Sequence, residues 1–395
     1  MRNVGTVVRG IRTPIIKEGD NLADIVVDSL LAASESEGFS FKDRDVVAIT
    51  EAVVGISEGN YVTVDDVAKD IKAKFPSGNI GVVFPILSRN RFSMILKGIA
   101  RGMDKITILL SFPSDEVGNG ILDEDALDKS PYDLGSVISE KEYEDVFGDF
   151  IHPFTGINMV DFYRDLVKSE NCEVEFVFAN DARAILDYTK DVLSCDIHTR
   201  EKTKKTLLES GANSVYGLFE VMSEPVDGSG FNPKYGLLGS NKSTEERLKL
   251  FPKTGDKLVL DIQEKLRERT GKTIEVMVYG DGAFKDPVGH IWELADPVVS
   301  PAYTSGLEGT PNEIKLKYIS DNKFADLRGD ELKAAVKEEI RKKDANLKGN
   351  MASQGTTPRR LTDLIGSLCD LTSGSGDKGT PVVFIQGYFD NLADE

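Results

Sequence analysis

Apolar positions along this chain switch repeatedly between a period near two and a period near 3.6, the alternation of strands feeding helices. "VGTVVRGIRTPII" reads as a strand, and "GDNLADIVVDSLLAA" as a helix capped by Asp20 or Asn21. "DRDVVAIT" predicts a short buried strand. "NIGVVFPI", the helix "RFSMILKGIARG" and the strand "KITILLSFP" form a strand–helix–strand unit. "CEVEFVFAN", the helices "ARAILDYTKDVL" and "REKTKKTLLESG", and the strand-like "SVYGLFEV" continue it. Alternation of this length predicts an α/β fold containing a parallel, doubly wound layer.

An acidic, irregular stretch, "DEVGNGILDEDALDKSPYDLGSVISEKEYEDVFGDF", interrupts that layer and reads as a surface excursion or a lid. Beyond it the texture changes. "DKLVLDIQEKLRERTGKTIEVMVYGDGAF" predicts a long amphipathic helix, a break at Gly271 and a strand ending at Tyr279. "NEIKLKYISDN" alternates as a strand, and "GDELKAAVKEEIRKKDANL" reads as a solvated helix. The close is a helix, a loop and the strand "TPVVFIQG".

That closing loop, Gly374-Ser375-Gly376-Asp377-Lys378-Gly379, has the G-x-G-x-x-G spacing of a dinucleotide-binding fingerprint. The fingerprint needs a strand before the glycines and a helix after them, so that pyrophosphate rests on the helix N-terminus. Here a helix precedes and a strand follows, so the Rossmann reading fails at this loop. No glycine fingerprint follows "NIGVVFP" either, which argues against a nicotinamide-dependent oxidoreductase.

A net charge of −18 over 395 residues changes the picture of the partners. It argues against nucleic acid and against an anionic membrane surface, and it requires a local basic cluster wherever an anionic substrate binds. No apolar run is long enough to span a bilayer, and no signal peptide is evident. Three cysteines make an odd, sparse set, so a reducing cytoplasm is expected. Cys195 and His198 have C-x-x-H spacing, but no second close pair completes a zinc site.

Two places could carry chemistry. In "TTPRRLTDLIG", Thr357 predicts an N-cap and Pro358 the first helical position, leaving Arg359 and Arg360 in the first turn. Cations are disfavoured there, so the pair either receives an anion or pairs with acidic side chains. In "YGDGAFKDPVGHIW", Asp281 follows a buried strand between glycines and Asp286 stands close enough to share a cation, with Lys285 between them. An Asp-Gly turn with a surface Lys-Asp pair would look the same.

Together these segments resemble the coenzyme F-420 gamma-glutamyl ligase family. The family's opening L-P-L-I-K-x-G-D-D-L is similar to the ten residues from Thr13 to Leu22. Its S-K-A-E-G segment is matched by Glu58-Gly59, with Ile56 where a nucleotide-contacting lysine belongs. Its G-I-D-x-S-N becomes Gly236-Leu237-Leu238-Gly239-Ser240-Asn241, with Leu238 in place of a metal-ligand aspartate. The D-T-x-G-R strand end corresponds to "VMVYGDGAFKDP", and the C-terminal glycine-rich pattern to "TDLIGSLCDLTSGSGDKGTP", with Ser375 at a metal-associated position.

The resemblance implies a ligase-like core over residues 1–77 and 228–395 with an inserted α/β, Rossmann-like unit over 78–227. It implies an amide ligase that uses GTP or ATP with Mg²⁺ or Mn²⁺ to activate a carboxylate as an acyl phosphate, which glutamate or another amino acid then attacks. Asp281 and Asp286 are the expected metal ligands. Asp281, Lys285, Arg359 and Arg360 are the expected catalytic groups. Pro14, Ile15, Ile16, Asn241, Gly374, Ser375, Gly376, Asp377 and Lys378 are expected along the nucleotide. A cytoplasmic homodimer is implied as well. Leu238, Ser375 and Ile56 depart from the pattern, so a ligase-like nucleotide sensor that has lost catalysis is the alternative.

Overall fold

The computed structural model describes residues 3–153, 155–280, 300–354, 359–373 and 376–394. The core sheet has five strands in the order Val7–Ile11, Val382–Gln386, Val46–Thr50, Glu275–Tyr279 and Ala302–Tyr303. Val46–Thr50 and Glu275–Tyr279 run parallel, and the other neighbours are antiparallel. The central strands are buried on both faces, which is why they read as unbroken apolar runs. Val47, Ile49, Val276, Val278, Val382 and Phe384 face one layer; Val46, Ala48, Met277, Tyr279, Val383 and Ile385 face the other.

Helices supply those two layers. Leu22–Glu37 buries Leu22, Ala23, Val26, Val27 and Leu30, and Gly255–Thr270 buries Val259, Ile262 and Leu266 against the first face. Asn21 caps the former by accepting the Asp24 N–H, as its side chain predicts, and Gly271 ends the latter at φ +69°. Leu361–Thr372 covers the second face with Ile365 and Cys369. Each fully buried Val or Ile contributes on the order of 1.5–3 kcal/mol, so burial between these layers is a main source of the sheet's stability.

A second sheet has six strands in the order Ile138–Ser139, Glu173–Phe178, Lys105–Leu110, Asn79–Val83, Asp191–Ser194 and Ser214–Gly217. All pairs are parallel except the edge pair formed by Ile138–Ser139. Chain order reverses between Asn79–Val83 and Asp191–Ser194, which makes their carboxyl ends the switch point of a doubly wound sheet. The helix Val64–Lys74 packs its Val64, Val67 and Ile71 into the same apolar cluster as Phe92, Leu96 and Ile99 of the helix Phe92–Gly102.

A small third sheet joins the two. The hairpin Asn241–Thr244 and Arg247–Lys249 pairs with Tyr61–Thr63. Across from it, Glu246 is held by Lys97 and Arg101, and Arg101 also grips Asp65 at 2.7 Å and Glu170 at 2.8 Å. Arg101 first, then Lys97, hold the Glu246 carboxyl down to about 2.

In two segments the element differs from the one the pattern predicts. "ARAILDYTKDVL" forms only a short 3₁₀ turn, Ala182–Asp187, followed by the strand Asp191–Ser194, because a gap between two strands claims Val192 and Leu193. "NEIKLKYISDN" is a helix, Leu316–Asn322, whose Ile319 meets Val336 and Ile340 of Gly329–Arg341. Packing overrides the local pattern, helical in the first and alternating in the second. The acidic stretch carries the helices Glu124–Lys129 and Glu140–Phe147, with Leu127, Tyr143 and Phe147 in the second sheet's core.

Candidate functional site

One row of residues crosses the core sheet: Ile11 pairs with Val382, Val382 with Ile49, and Ile49 with Val278. Past this row, at one end of the sheet, the chain leaves Ile11 for the loop 13–20, leaves Thr50 for the helix Glu51–Glu58 and leaves Tyr279 for Gly280. The turn 376–380 enters it before Val382. Four segments far apart in sequence are therefore gathered at the carboxyl ends of the parallel pair, where α/β sheets hold ligands.

Hydrogen bonds tie these segments together. Thr13 N–H donates to the Gly379 carbonyl at 3.3 Å, Gly19 N–H to the Ser57 carbonyl at 3.0 Å, and Thr50 N–H to the Pro381 carbonyl at 3.0 Å. The Glu58 carboxylate accepts from the N–H groups of Lys253 and Thr254 at 2.8 and 3.0 Å, capping the approach to the helix Gly255–Thr270. Within the loop, Pro14 and Ile15 are exposed while Ile16 is buried.

A cavity of about 400 Å³ opens at this end, lined by Thr50, Glu51, Ile56, Asn241, Gly280 and Asp370 among others. Arg91, Lys242 and Lys249 also line it, so that among its described lining residues three cations stand against two carboxylates in a protein of net charge −18. Such a local excess is what an anionic ligand requires. Lys249 and Glu51 form a buried ion pair, with Nζ at 2.8 Å from Oε1 and 2.6 Å from Oε2. Arg91 comes from the loop after Asn79–Val83, so the second sheet adds a cation to the core's cavity. That loop is held by the Leu87 N–H on Asp115 at 2.7 Å and the Ser88 N–H on the Tyr163 hydroxyl at 2.8 Å. Nearby, burial pushes the Tyr279 hydroxyl well above its usual range, so it stays protonated.

The structure brings only some of the expected site residues here. Asn241 and Ile56 line the cavity, and Gly280 places the chain at its wall one residue before Asp281. Asp281, Lys285, Asp286, Gly374 and Ser375 lie outside the described residues. Lys378, next to Gly376 and Asp377 in the turn, lines a separate groove of about 920 Å³ with Arg9, Arg12 and Phe39.

Arg359 and Arg360 are not in a first helical turn: the helix begins at Leu361, with Arg360 extended at φ −61°, ψ 145° as its N-cap. The Arg360 guanidinium donates to the Tyr303 hydroxyl at 2.7 Å and lies over its ring, which draws the side chain away from the helix start. Asp370, at the cavity, is about 15 Å further along that helix at 1.5 Å per residue. The arginine pair and the cavity thus stand at opposite ends of one helix.

Lys249, Glu51, Arg91 and Lys242 were not singled out from sequence. Lys249 looks like the outward residue of "RLKLFP", and its partner is 198 positions away. As for a divalent cation, the described residues contain no group of three or more His, Cys, Asp and Glu that could hold one. Leu238 is buried in the apolar cluster with Leu237, and the Glu51 carboxylate is engaged by Lys249. The described wall of the cavity therefore does not by itself fit a metal ion.

No helix among the described residues is long and apolar enough to cross a membrane. No curated protein matches the chain. A family model, by contrast, covers nearly all of it: F420-0:gamma-glutamyl ligase matches residues 10–387, and the chain belongs to that ligase family.

Proposed function

We propose that this ligase joins glutamate or another amino acid to a carboxylate acceptor through an acyl phosphate, using GTP or ATP, in the cavity beside Thr50, Asn241 and Gly280. The observation that carries this reading is the cavity at this end of the core sheet, where Thr50, Asn241, Gly280 and Asp370 meet the cations Arg91, Lys242 and Lys249. An acceptor carboxylate oxygen attacks the terminal phosphorus, and the bond to the bridging oxygen breaks to release the nucleoside diphosphate. The amine then attacks the acyl carbon, phosphate leaves, and the nitrogen loses a proton.

Little covalent chemistry is asked of the protein in such a transfer; positioning and charge stabilisation dominate. Lys249, Lys242 and Arg91 supply positive charge around the transferring group, and Asn241 and Thr50 supply polar contacts. The unit over 78–227, through Arg91, would face the acceptor. Asp281 and Asp286 are assigned to Mg²⁺ or Mn²⁺, which would neutralise phosphate charge when bound. A homodimer in the cytoplasm completes the reading.

The second reading, a nucleotide sensor without catalysis, is favoured by Leu238, which is 3% exposed inside an apolar cluster and offers no donor. Phosphate release from GTP and ATP, measured with Mn²⁺ and with or without glutamate and a deazaflavin carboxylate acceptor, separates the two. Ligase activity requires release that rises with both additions and a product heavier by one glutamyl residue. Nucleotide binding with no release under any combination supports the sensor.

A further inference from the structure

Lys249 is the one lysine or arginine among the described residues that is buried, at 8% exposure, and it nevertheless borders an open cavity. Removing an ammonium from water is costly unless something compensates it. Glu51 compensates part: its two oxygens lie 2.6 and 2.8 Å from Nζ. An ammonium has three N–H donors. Among the described residues Glu51 is the only hydrogen-bond partner of Nζ, so a donor remains for the cavity.

The approach of this side chain is built into the helix Glu51–Glu58. A Cβ added at Gly55 would stand 3.3 Å from Lys249 Cδ, 3.4 Å from its Cγ and 3.1 Å from the Leu250 carbonyl. Glycine inside a helix costs about 1 kcal/mol relative to alanine. Here the missing side chain leaves the path along which the lysine stem reaches the cavity. The next residue, Ile56, lines the same cavity and leaves that wall without a charge.

We infer that Lys249 is the phosphate-binding cation of this chain: its ammonium takes the terminal oxygens of a nucleoside triphosphate or of inorganic polyphosphate, while Glu51 acts as a positioning residue that aims it across Gly55. This rests on the nucleotide-dependent reading above and names the residue that serves it.

The test is calorimetric titration of GTP, ATP and inorganic tripolyphosphate into three proteins: wild type, Glu51→Gln/Lys249→Met, and that variant with Ile56→Lys added. Replacing both members of a buried pair leaves no charge uncompensated, so the fold is expected to survive. The double variant is expected to bind tripolyphosphate about 10- to 100-fold more weakly, the range for a hydrogen bond to a charged group. Ile56→Lys, which returns a cation to the same cavity, is expected to recover at least part of the loss.

Wild-type binding with the double variant within twofold of it overturns the assignment of Lys249 alone. Absence of wild-type binding to all three compounds overturns the nucleotide-dependent reading and the assignment with it. Should the double variant not fold, the wild type still decides. A second readout is the Nζ resonance in low-temperature ¹H–¹⁵N spectra, assigned as the signal that Lys249→Arg removes. That resonance must shift with saturating tripolyphosphate; an unmoved signal overturns the inference.

Discussion

The core sheet and the doubly wound sheet both present the carboxyl ends of parallel strands, and they finish them in opposite ways. At the switch point of the doubly wound sheet the polar groups satisfy one another. Asp196 is buried and accepts from the hydroxyls of Ser194, Thr199 and Thr203 at 2.5, 2.6 and 2.7 Å. Glu116 accepts the N–H groups of Ile197 and His198, and Asp115 those of Leu87, Val117 and Asn119. The space left beside Cys195 and Ile197 is about 20 Å³. The core sheet instead keeps a cavity of about 400 Å³ with three cations at its wall. The arrangement that resembles a nucleotide-binding fold is the one that closes on itself; the one that remains open belongs to the mixed sheet. A strand order locates where a ligand could sit, and the side chains at that end decide whether room and charge are left for one.

The largest effect that would sharpen this contrast is expected from Lys249→Met alone. It strands the Glu51 carboxylate in a buried position, and chemical unfolding should show a loss of about 3–5 kcal/mol, most of it recovered when Glu51→Gln is added. A single variant as stable as wild type would mean the pair is solvated and the contrast false. Next, Asp196→Ala removes the acceptor of three hydroxyls and should cost about 2–3 kcal/mol. Because that end of the doubly wound sheet is structural, the folded variant should bind GTP or ATP as wild type does; weakened binding would break the distinction.

Asp115 gives a pH-dependent version of the same test. Burial pushes its carboxyl up to about 6 from the ordinary 3.8, against the opposing effect of the Leu87 and Asn119 hydrogen bonds. The folded form therefore binds more protons than the unfolded form between these values, and stability contributed by this group falls as pH rises from about 4 to about 6. Unfolding of wild type and Asp115→Asn across that window should show wild type losing ground to the variant as pH rises; parallel curves would contradict a buried, self-satisfied loop.

The smallest effect is expected at Glu246, whose carboxylate bridges the hairpin to Lys97 and Arg101 but is 53% exposed. With its carboxyl held low, its contribution is complete above the ordinary 4.5 and fades as pH falls toward 2. After solvent screening, Glu246→Gln should cost no more than about 1 kcal/mol, and less in high salt. A larger, salt-insensitive loss in thermal or chemical unfolding would show that the hairpin depends on this bridge.

Much of the fold was legible because the central strands carry their own evidence. Val46–Thr50 and Val382–Gln386 are apolar at nearly every position, and Asn21 and Gly271 mark helix limits by side-chain chemistry that acts locally. The segments Asp191–Ser194 and Leu316–Asn322 were misread because their neighbours, and no local signal, decide their state. The site divides the same way. Asn241 and Ile56 were reachable through an ordered motif, whereas Lys249 needs Glu51 and Gly55, which only the closed sheet brings near. Arg359 and Arg360 stand before the helix start, at the end away from the cavity, and adjacency to a helix start says nothing about which end of the helix meets it.

The most direct measurement is amide hydrogen exchange of the wild-type protein with and without saturating GTP or ATP and Mn²⁺, read segment by segment. Slower exchange over 50–59 and 241–249, with 194–203 unchanged, is the expected pattern. Protection over 194–203 while 50–59 and 241–249 stay unchanged would place the nucleotide on the doubly wound sheet and contradict the site described here.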